Sequence, residues 1–327
     1  MSSSTTSYQR TPQRPVGSGF GRHSTAADVL AGLDLSEVSA VVTGGYSGVG
    51  LETTRALSAA GASVVVPARR PDHARDQLAG LPRVEVEELD LADLDSVHGF
   101  ADRLLASGRP VDVLINNAAV MANSETRVGP GWESQFATNH LGHFCLTNRL
   151  WPALASRGAR VVSVSSSGHQ GSGIRWDDVQ LEHGYDKWKA YGQAKTANAL
   201  FAVELDRLAW PDGVRALSVM PGGIRTPLQR HLDDAEMVRL GWFDAAGNDL
   251  YDWKTPEQGA ATQLWAATSP RLAGIGGVYC EDVDIAPPAG PDVDGGVSPH
   301  ASDPEQARRL WALSAELTGV NAFAHAG

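Results

Sequence analysis

The chain has 327 residues, of which 42% are hydrophobic, and carries 38 acidic against 27 basic side chains, a net charge of −11. This is enough apolar material for a sizeable core. The acidic balance argues against a nucleic-acid surface, which needs clustered cations, and no apolar run reaches the roughly 18 residues that a membrane-spanning helix requires.

Residues 1–26 are Ser, Thr, Pro, Gly and Arg with almost no aliphatic side chains, so a disordered tail is expected, followed by one domain over 27–327. The tail lacks the apolar stretch of a secretory signal, which makes the cytoplasm the expected compartment. Cys145 and Cys280 sit in apolar segments without metal-ligand spacing, as buried thiols would in reducing surroundings. Beyond the tail, short Val-rich runs alternate with longer periodic stretches. The strand "SAVVTGG" precedes a helix near 48–60, and "SVVVPA" precedes a helix near 73–79. "VEVEEL" leads to a helix near 94–106, and "VDVLINNA" to a long helix near 132–156. "RVVSVSS" comes before a helix near 190–208, and "VRALSVM" before an irregular stretch. Strict alternation of strand and helix implies βαβ units, hence a doubly wound α/β Rossmann fold with a parallel sheet. Residues 222–255 are too irregular for more sheet and are read as a loop covering a substrate. Helices near 257–267 and 304–317 close the chain, separated by a Pro/Gly-rich loop over 286–299.

Several of these junctions carry chemistry. "TGGYSGVG" (43–50) follows the first strand and opens a helix. Gly44, Gly48 and Gly50 allow a tight turn and close backbone approach, and the helix start offers free amides, as a pyrophosphate cradle needs. At the end of the second strand Ala68 stands where an acid would hold a free ribose 2′-hydroxyl, followed by Arg69 and Arg70. Arginine suits a 2′-phosphate, so NADP(H) is expected over NAD(H), the latter kept as the alternative. Asp90, after the third strand, can accept from an adenine amine or cap a helix. Asn116 and Asn117 end the fourth strand, and Asn139 interrupts the apolar face of the long helix. His140 and His143 are read as structural, because no third ligand lies at metal spacing. Three serines end the fifth strand without the G-x-S-x-G pattern of an acyl-transfer nucleophile, which leaves proton and hydride transfer. Finally "YGQAK" sets Tyr191 and Lys195 four apart at the head of a helix, one face, where an ammonium can lower a phenol's pKa. Only four lysines occur beside 23 arginines, yet Tyr185 and Lys189 repeat the spacing six residues earlier.

"TGGYSGVG", "NNAA", "VSVSS", "YGQAK" and "PGGIRTP", in that order over about residues 40–227, resemble the short-chain dehydrogenase/reductases. The spacing of 25 positions from Ser166 to Tyr191 is similar to that of the retinol dehydrogenase and WW-domain oxidoreductase branch and of bacterial oxidoreductases. The resemblance implies a catalytic tetrad of Asn139, Ser166, Tyr191 and Lys195. In it Tyr191 handles the proton on the substrate oxygen and Ser166 hydrogen-bonds that oxygen. Lys195 holds the nicotinamide ribose and depresses the tyrosine pKa, while Asn139 positions a water linking Lys195 to solvent. It further implies that Gly44, Ser47, Gly48, Val49 and Gly50 face the phosphates, Arg69 the 2′-phosphate, and Asp90 and Leu91 the adenine. Asn117 is implied at the adenine ribose and Ile224 and Thr226 at the nicotinamide amide. Tyr185 becomes a decoy. Ala119 replaces the family's usual Gly, and "GIGGVYCEDVDIA" replaces the usual C-terminal strand signature.

The expectation is an NADP(H)-dependent oxidoreductase acting on a secondary alcohol or carbonyl. Trp242, Phe243 and Trp253 suggest a lipophilic substrate. A homodimer or homotetramer is the expected assembly, with no nucleic-acid, membrane or metal partner. The alternatives are a non-catalytic nucleotide sensor, against which the intact tetrad stands, and a nucleotide-sugar epimerase or dehydratase. Against the latter stand the glycine spacing and the lack of a sugar-nucleotide domain.

Overall fold

The computed structural model describes residues 7–291, 293 and 295–324. After α1 (Ala26–Leu30), strands and helices alternate as β1 (Ser39–Val42), α2 (Gly48–Ala59), β2 (Ser63–Ala68), α3 (Pro71–Gln77), β3 (Val84–Glu88), α4 (Leu94–Ala106) and β4 (Val113–Asn116). A small hairpin, β5 (Arg127–Val128) and β6 (Trp132–Glu133), leads into α5 (Ser134–Phe136), α6 (Gly142–Arg149) and α7 (Trp151–Leu154). Then come β7 (Arg160–Val164), α8 (Lys187–Ala209), β8 (Arg215–Met220), α9 (Asp234–Arg239), α10 (Pro256–Thr268), β9 (Val278–Glu281), β10 (Asp284–Ile285) and α11 (Pro304–Thr318).

The main sheet has eight strands in the order β10-β9-β8-β7-β4-β1-β2-β3. Every pairing is parallel except the short β10, which runs antiparallel to β9. The period of two along each strand explains the layers. Ala40 and Val42 of β1, Val64 and Val66 of β2, and Val162 and Val164 of β7 point to one core, where α1, α2 and α10 lie. Val41, Val65 and Val161 point to the other, beside α4, α6 and α8. The strand order reverses between β1 and β4, and a crevice at the carboxyl ends of such strands is where this architecture binds ligands. β9, which the sequence pattern did not mark as a strand, pairs with β8 from Leu217↔Val278 to Met220↔Glu281.

Two expectations need correction. The long helix expected over 132–156 is broken by a π-helical turn over Ala137–Leu141 and again near Pro152. At the first break the Asn139 side chain turns away to the Val120 backbone, its Oδ1 accepting from Val120 N (2.8 Å) and its Nδ2 donating to Val120 O (2.9 Å). Insertions into the hydrogen-bond ladder of this kind are an identifiable source of helix irregularity. The second correction concerns the tail. Residues 1–6 of the expected disordered segment lie outside the described ones, but the remainder is a strap held by polar contacts. Asp284 accepts from the backbone N–H of Val16, Gly17 and Ser18. Gln13 donates to the carbonyls of Tyr279 and Ala286, and the Tyr8 hydroxyl donates to Asp206 (2.9 Å). A stretch without aliphatic side chains cannot build a core, yet it can satisfy the polar groups of an existing sheet edge. Residues 222–255 contain a 3₁₀ turn, Pro227–Gln229, and α9, with isolated bridges Ile224↔Lys254 and Phe243↔Asp249.

Candidate active site

The turn after β1 is built for close approach. Gly44 (φ 65°) and Gly48 (φ 53°) take backbone conformations that favour glycine. A β-carbon on Gly50 would stand 2.4 Å from the Gly44 carbonyl oxygen and 2.5 Å from Asn117 Nδ2. Any side chain there would fill the cradle. Ser47 is the N-cap of α2 but its side chain makes no capping bond, which leaves the first-turn amides to an outside acceptor. These features fit the pyrophosphate of a dinucleotide.

Thr43 ties this turn to the end of β4. Its Oγ1 accepts from the backbone N–H of Asn117 (2.9 Å) and Ala118 (3.0 Å), while Asn117 Nδ2 donates to Thr43 O (2.9 Å). The same hydroxyl lies 2.8 Å from His143 Nε2, and His143 Nδ1 lies 2.9 Å from the Asn139 carbonyl. A carbonyl only accepts, so Nδ1 carries the proton and Nε2 receives the Thr43 proton. Burial keeps this imidazole neutral, pushing its pKa down to about 4. His143 therefore links the glycine turn to the π turn that carries Asn139. His140, equally buried, meets Ser314 Oγ at 2.7 Å. Among the described residues no three His, Cys, Asp or Glu side chains form a cluster able to hold a metal ion.

Ser166, Tyr191 and Lys195 meet where β7 ends and α8 begins. Asp186 caps α8, accepting from Trp188 and Lys189 N–H. Tyr191 and Lys195 thus stand one turn apart on a single face, with Lys195 Nζ 5.6 Å from the centre of the phenol ring. Tyr185 precedes the cap and is off the helix, its hydroxyl donating to Asn123 O at 3.1 Å. The repeated spacing at Tyr185 and Lys189 consequently shares no helical face. Ser166 Oγ accepts from the Gly168 N–H at 3.1 Å, and its own carbonyl receives His169 Nδ1 at 2.6 Å. His169 Nε2 accepts from the backbone N–H of Ser298 (3.0 Å), pinning the serine loop to the C-terminal loop. A β-carbon on Gly168 would be 2.9 Å from the Tyr191 ring, so glycine lets the phenol pack on that loop.

The electrostatics differ from the expected depression of the tyrosine pKa. Burial pushes Tyr191 up to about 12, opposed by the Ser166 hydrogen bond. Burial also brings Lys195 down to about 7, so the ammonium expected to stabilise phenolate is itself disfavoured. Lys195 Nζ donates to the Val164 carbonyl at 2.9 Å.

The other expected contacts are distributed around the same sheet edge. Arg69 and Arg70 are exposed beyond β2. Asp90 Oδ1 accepts from Ala92 N–H (2.9 Å), and Leu91 is buried, its carbonyl 2.2 Å from where a Gly142 side chain would begin. Ile224 is buried and bridges to Lys254. Thr226 caps the 3₁₀ turn, its Cβ 3.1 Å from where a side chain on Gly48 would begin. Val49 is half-buried at the first turn of α2.

Sequence reasoning did not single out the residues that fix the segment over 222–255. Glu236 of α9 accepts from Lys187 Nζ (2.5 Å) and Trp188 Nε1 (2.9 Å) on α8. Lys254, buried, lays its stem against Gly222, and the Tyr251 ring lies against Gly223, where β-carbons would be 2.6 and 2.2 Å away. The paired glycines of "PGGIRTP" are the signal that could have revealed this close packing. Met121, Ala122 and Tyr191 form an apolar cluster with Trp188, Leu228, Leu232 and Trp242.

Comparison with known proteins agrees with this architecture. Residues 38–237 match the family model described as short chain dehydrogenase. A Streptomyces lividans protein named "Probable oxidoreductase" is 46% identical over 296 residues, 87% of this chain and 98% of its own. Polyprenol dehydrogenase of Mus musculus is 38% identical over 298 residues, 86% of this chain and 84% of its own. A crystal structure of an uncharacterized protein from Mycobacterium paratuberculosis is 33% identical, with a TM-score of 0.71 over 91% of this chain and 98% of that one.

Proposed function

The chain belongs to the short-chain dehydrogenase/reductase family of oxidoreductases, and from that premise we propose that it moves a hydride between NADP(H) and a lipophilic secondary alcohol or its carbonyl. The observation that carries the reading is the convergence of Tyr191, Ser166 and Lys195 at the carboxyl end of β7, beside the glycine cradle. Gly44, Ser47, Gly48, Val49 and Gly50 would hold the pyrophosphate, Asn117 the adenosine ribose, Asp90 and Leu91 the adenine, and Ile224 and Thr226 the carboxamide. The bound nicotinamide supplies or takes the hydride. Tyr191 Oη gives or takes the proton at the substrate oxygen. Ser166 Oγ, whose hydroxyl favours the ionised form of that phenol, donates to the same substrate oxygen as charge develops on it. Lys195 orients the ribose and passes protons toward a water held near Asn139.

The apolar cluster around Tyr191 supports a lipophilic substrate, and the name of the mouse relative points the same way. Arg69 and Arg70, with no carboxylate where β2 ends, favour NADP(H). The free, buried cysteines suit a reducing compartment such as the cytoplasm. Among the described residues no helix is long and apolar enough to cross a membrane.

The test compares wild type, Tyr191→Phe and Tyr185→Phe with NADPH and a panel of long-chain and small polar carbonyls. Expected are intact nucleotide binding by both variants, activity lost only in Tyr191→Phe, and turnover favouring the apolar members. A fully active Tyr191→Phe would overturn the catalytic assignment, and turnover confined to small polar sugars the substrate class.

A further inference from the structure

Lys254 is a buried cation with no part in the proton and hydride steps. It and Lys195 are the two buried lysines of the four in the chain. Its Nζ donates to the carboxylate of Asp282, and the lysine side chain is 1% exposed against 42% for its partner. A buried charge is tolerated where it is paired, and removing the partner leaves it uncompensated. The partner stands on a strained turn. Asp282 (φ 48°) and Val283 (φ 65°) form the two-residue loop between β9 and β10, both in the left-handed conformation. Such hairpin loops favour Asp or Asn followed by glycine, and a β-branched residue at positive φ is an outlier. Strain of this kind persists only where the surroundings over-determine it. Here Val283 is fully buried and its N–H donates to Thr262 Oγ1 of α10 (3.2 Å). β9 pairs along β8, and Asp284 is held by the backbone N–H groups of residues 16–18. The turn is therefore a fixed point on the main sheet, and from it Asp282 reaches Lys254.

From Lys254 the connection runs on to the glycine cradle. Its backbone N–H donates to Gly223 O (2.9 Å), and it bridges Ile224 in parallel register. Its stem covers Gly222 (φ 107°), where a β-carbon would stand 2.6 Å from Lys254 Cδ. Ile224 in turn meets the first turn of α2. A β-carbon on Gly259 of α10 would lie 2.9 Å from Ile224 Cδ1 and 3.1 Å from Val49 Cγ2, so the two side chains converge there. Two residues on, Thr226 rests against Gly48. The main chain and the stem of one lysine thus grip residues 222–224, while its charged end is tied to the sheet.

We propose that Lys254 and Asp282 are positioning residues: their ion pair sets the segment over 222–226 against the glycine cradle and so places its contacts to the nicotinamide end of the nucleotide. The inference rests on the reading above that Ile224 and Thr226 hold the carboxamide, and it adds what holds them. Both side chains act through that segment and not on the reacting atoms. The strained turn then has a purpose beyond the hairpin, since it delivers the carboxylate that the buried lysine needs.

Calorimetric titrations test this without a substrate. NADPH and 2′-phospho-ADP-ribose, the fragment that lacks the nicotinamide, are bound to wild type, Lys254→Met, Asp282→Asn and the double variant. NADH and ADP-ribose are run in parallel, so the comparison holds for whichever dinucleotide binds. Wild type is expected to hold the dinucleotide at least about tenfold more tightly than the fragment. Lys254→Met should weaken the dinucleotide by about tenfold and Asp282→Asn by at least about threefold, the scale of one hydrogen bond. The fragment should stay within about twofold in both, which also reports a folded cradle. Asparagine tolerates the left-handed conformation, so Asp282→Asn keeps the turn. The double variant should lose no more than Lys254→Met, because the two side chains act as one unit. Dinucleotide affinity unchanged in either single variant overturns the inference. So does an equal loss of dinucleotide and fragment in Asp282→Asn, since the pair would then be a general prop of the fold. A wild type that binds the dinucleotide no more tightly than the fragment removes the nicotinamide contact itself, and the reading of Ile224 and Thr226 falls together with the inference.

Discussion

Replacing Lys195 by Met removes a buried cation while keeping an unbranched side chain of similar length. In the folded chain Lys195 is 2% exposed, and burial brings its pKa from 10.5 to about 7. The unfolded chain therefore binds a proton that the folded chain does not hold between about pH 7 and pH 10.5, and stability must rise with pH across that window. Integrating the two titrations, the buried lysine costs about 4 kcal/mol at pH 7 and only about 1 kcal/mol at pH 9.5, so the wild type should gain about 3 kcal/mol over that span. Lys195→Met should show no such gain. The substitution orphans nothing, since the Val164 carbonyl also accepts from Asn198 Nδ2 at 3.0 Å. His143, whose pKa Lys195 also lowers, stays neutral throughout the range in both proteins. Cys145 and Cys280, whose pKa values burial raises, oppose the trend equally in both and cancel in the difference. Urea unfolding followed by tryptophan fluorescence at pH 7, 8, 9 and 9.5, at fixed ionic strength, measures it. A wild-type-minus-variant difference that stays within about 1 kcal/mol over the whole range would refute the argument that Lys195 pays for its burial by losing charge.

Two shorter predictions follow from packing and from the strap. Gly50→Ala would place a β-carbon 2.4 Å from a backbone oxygen, so the turn must open. Expected are a stability loss of about 1–3 kcal/mol and NADPH affinity weakened at least about tenfold, read by calorimetric titration; wild-type affinity would show that the cradle is not the binding turn. Tyr8→Phe deletes the hydroxyl that donates to buried Asp206, which keeps Arg215 and the Ala216 N–H as partners. It should cost about 1–2 kcal/mol in urea unfolding, and an unchanged midpoint would mean that the strap is not held there in solution.

The sheet was legible because its strands are Val-rich on both faces and its turns carry glycine at positions that sterics dictate, as at Gly44 and Gly48. Both are local signals, readable without knowing what packs on what. The π turn at Asn139 was not legible: a helical pattern does not reveal that one amide will bond to Val120, 19 residues earlier. The strap escaped for a related reason. Its hydrogen bonds reach across the chain, from Tyr8 to Asp206 and from Val16 to Asp284, and composition records only that such a segment cannot bury a core of its own.

The same division runs through the site. Tyr191 and Lys195 stood out because the helix fixes their spacing, and Tyr185, set aside by motif order, has its physical reason in Asp186, which starts the helix after it. What spacing could not give is the sign of the electrostatics. A four-position spacing of a phenol and an ammonium suggests a lowered tyrosine pKa only if the ammonium stays charged, and burial of both groups acts against that condition. Depth in the fold, set by Trp188, Gly168 and the end of β7 together, thus decides what the pair can do. Any group that restores positive charge beside Tyr191, or brings water to Lys195, shifts the phenol toward ionisation. It follows that proton transfer at Tyr191 should be coupled to filling of the adjoining cradle, and that the free protein should hold its phenol protonated well above neutral pH.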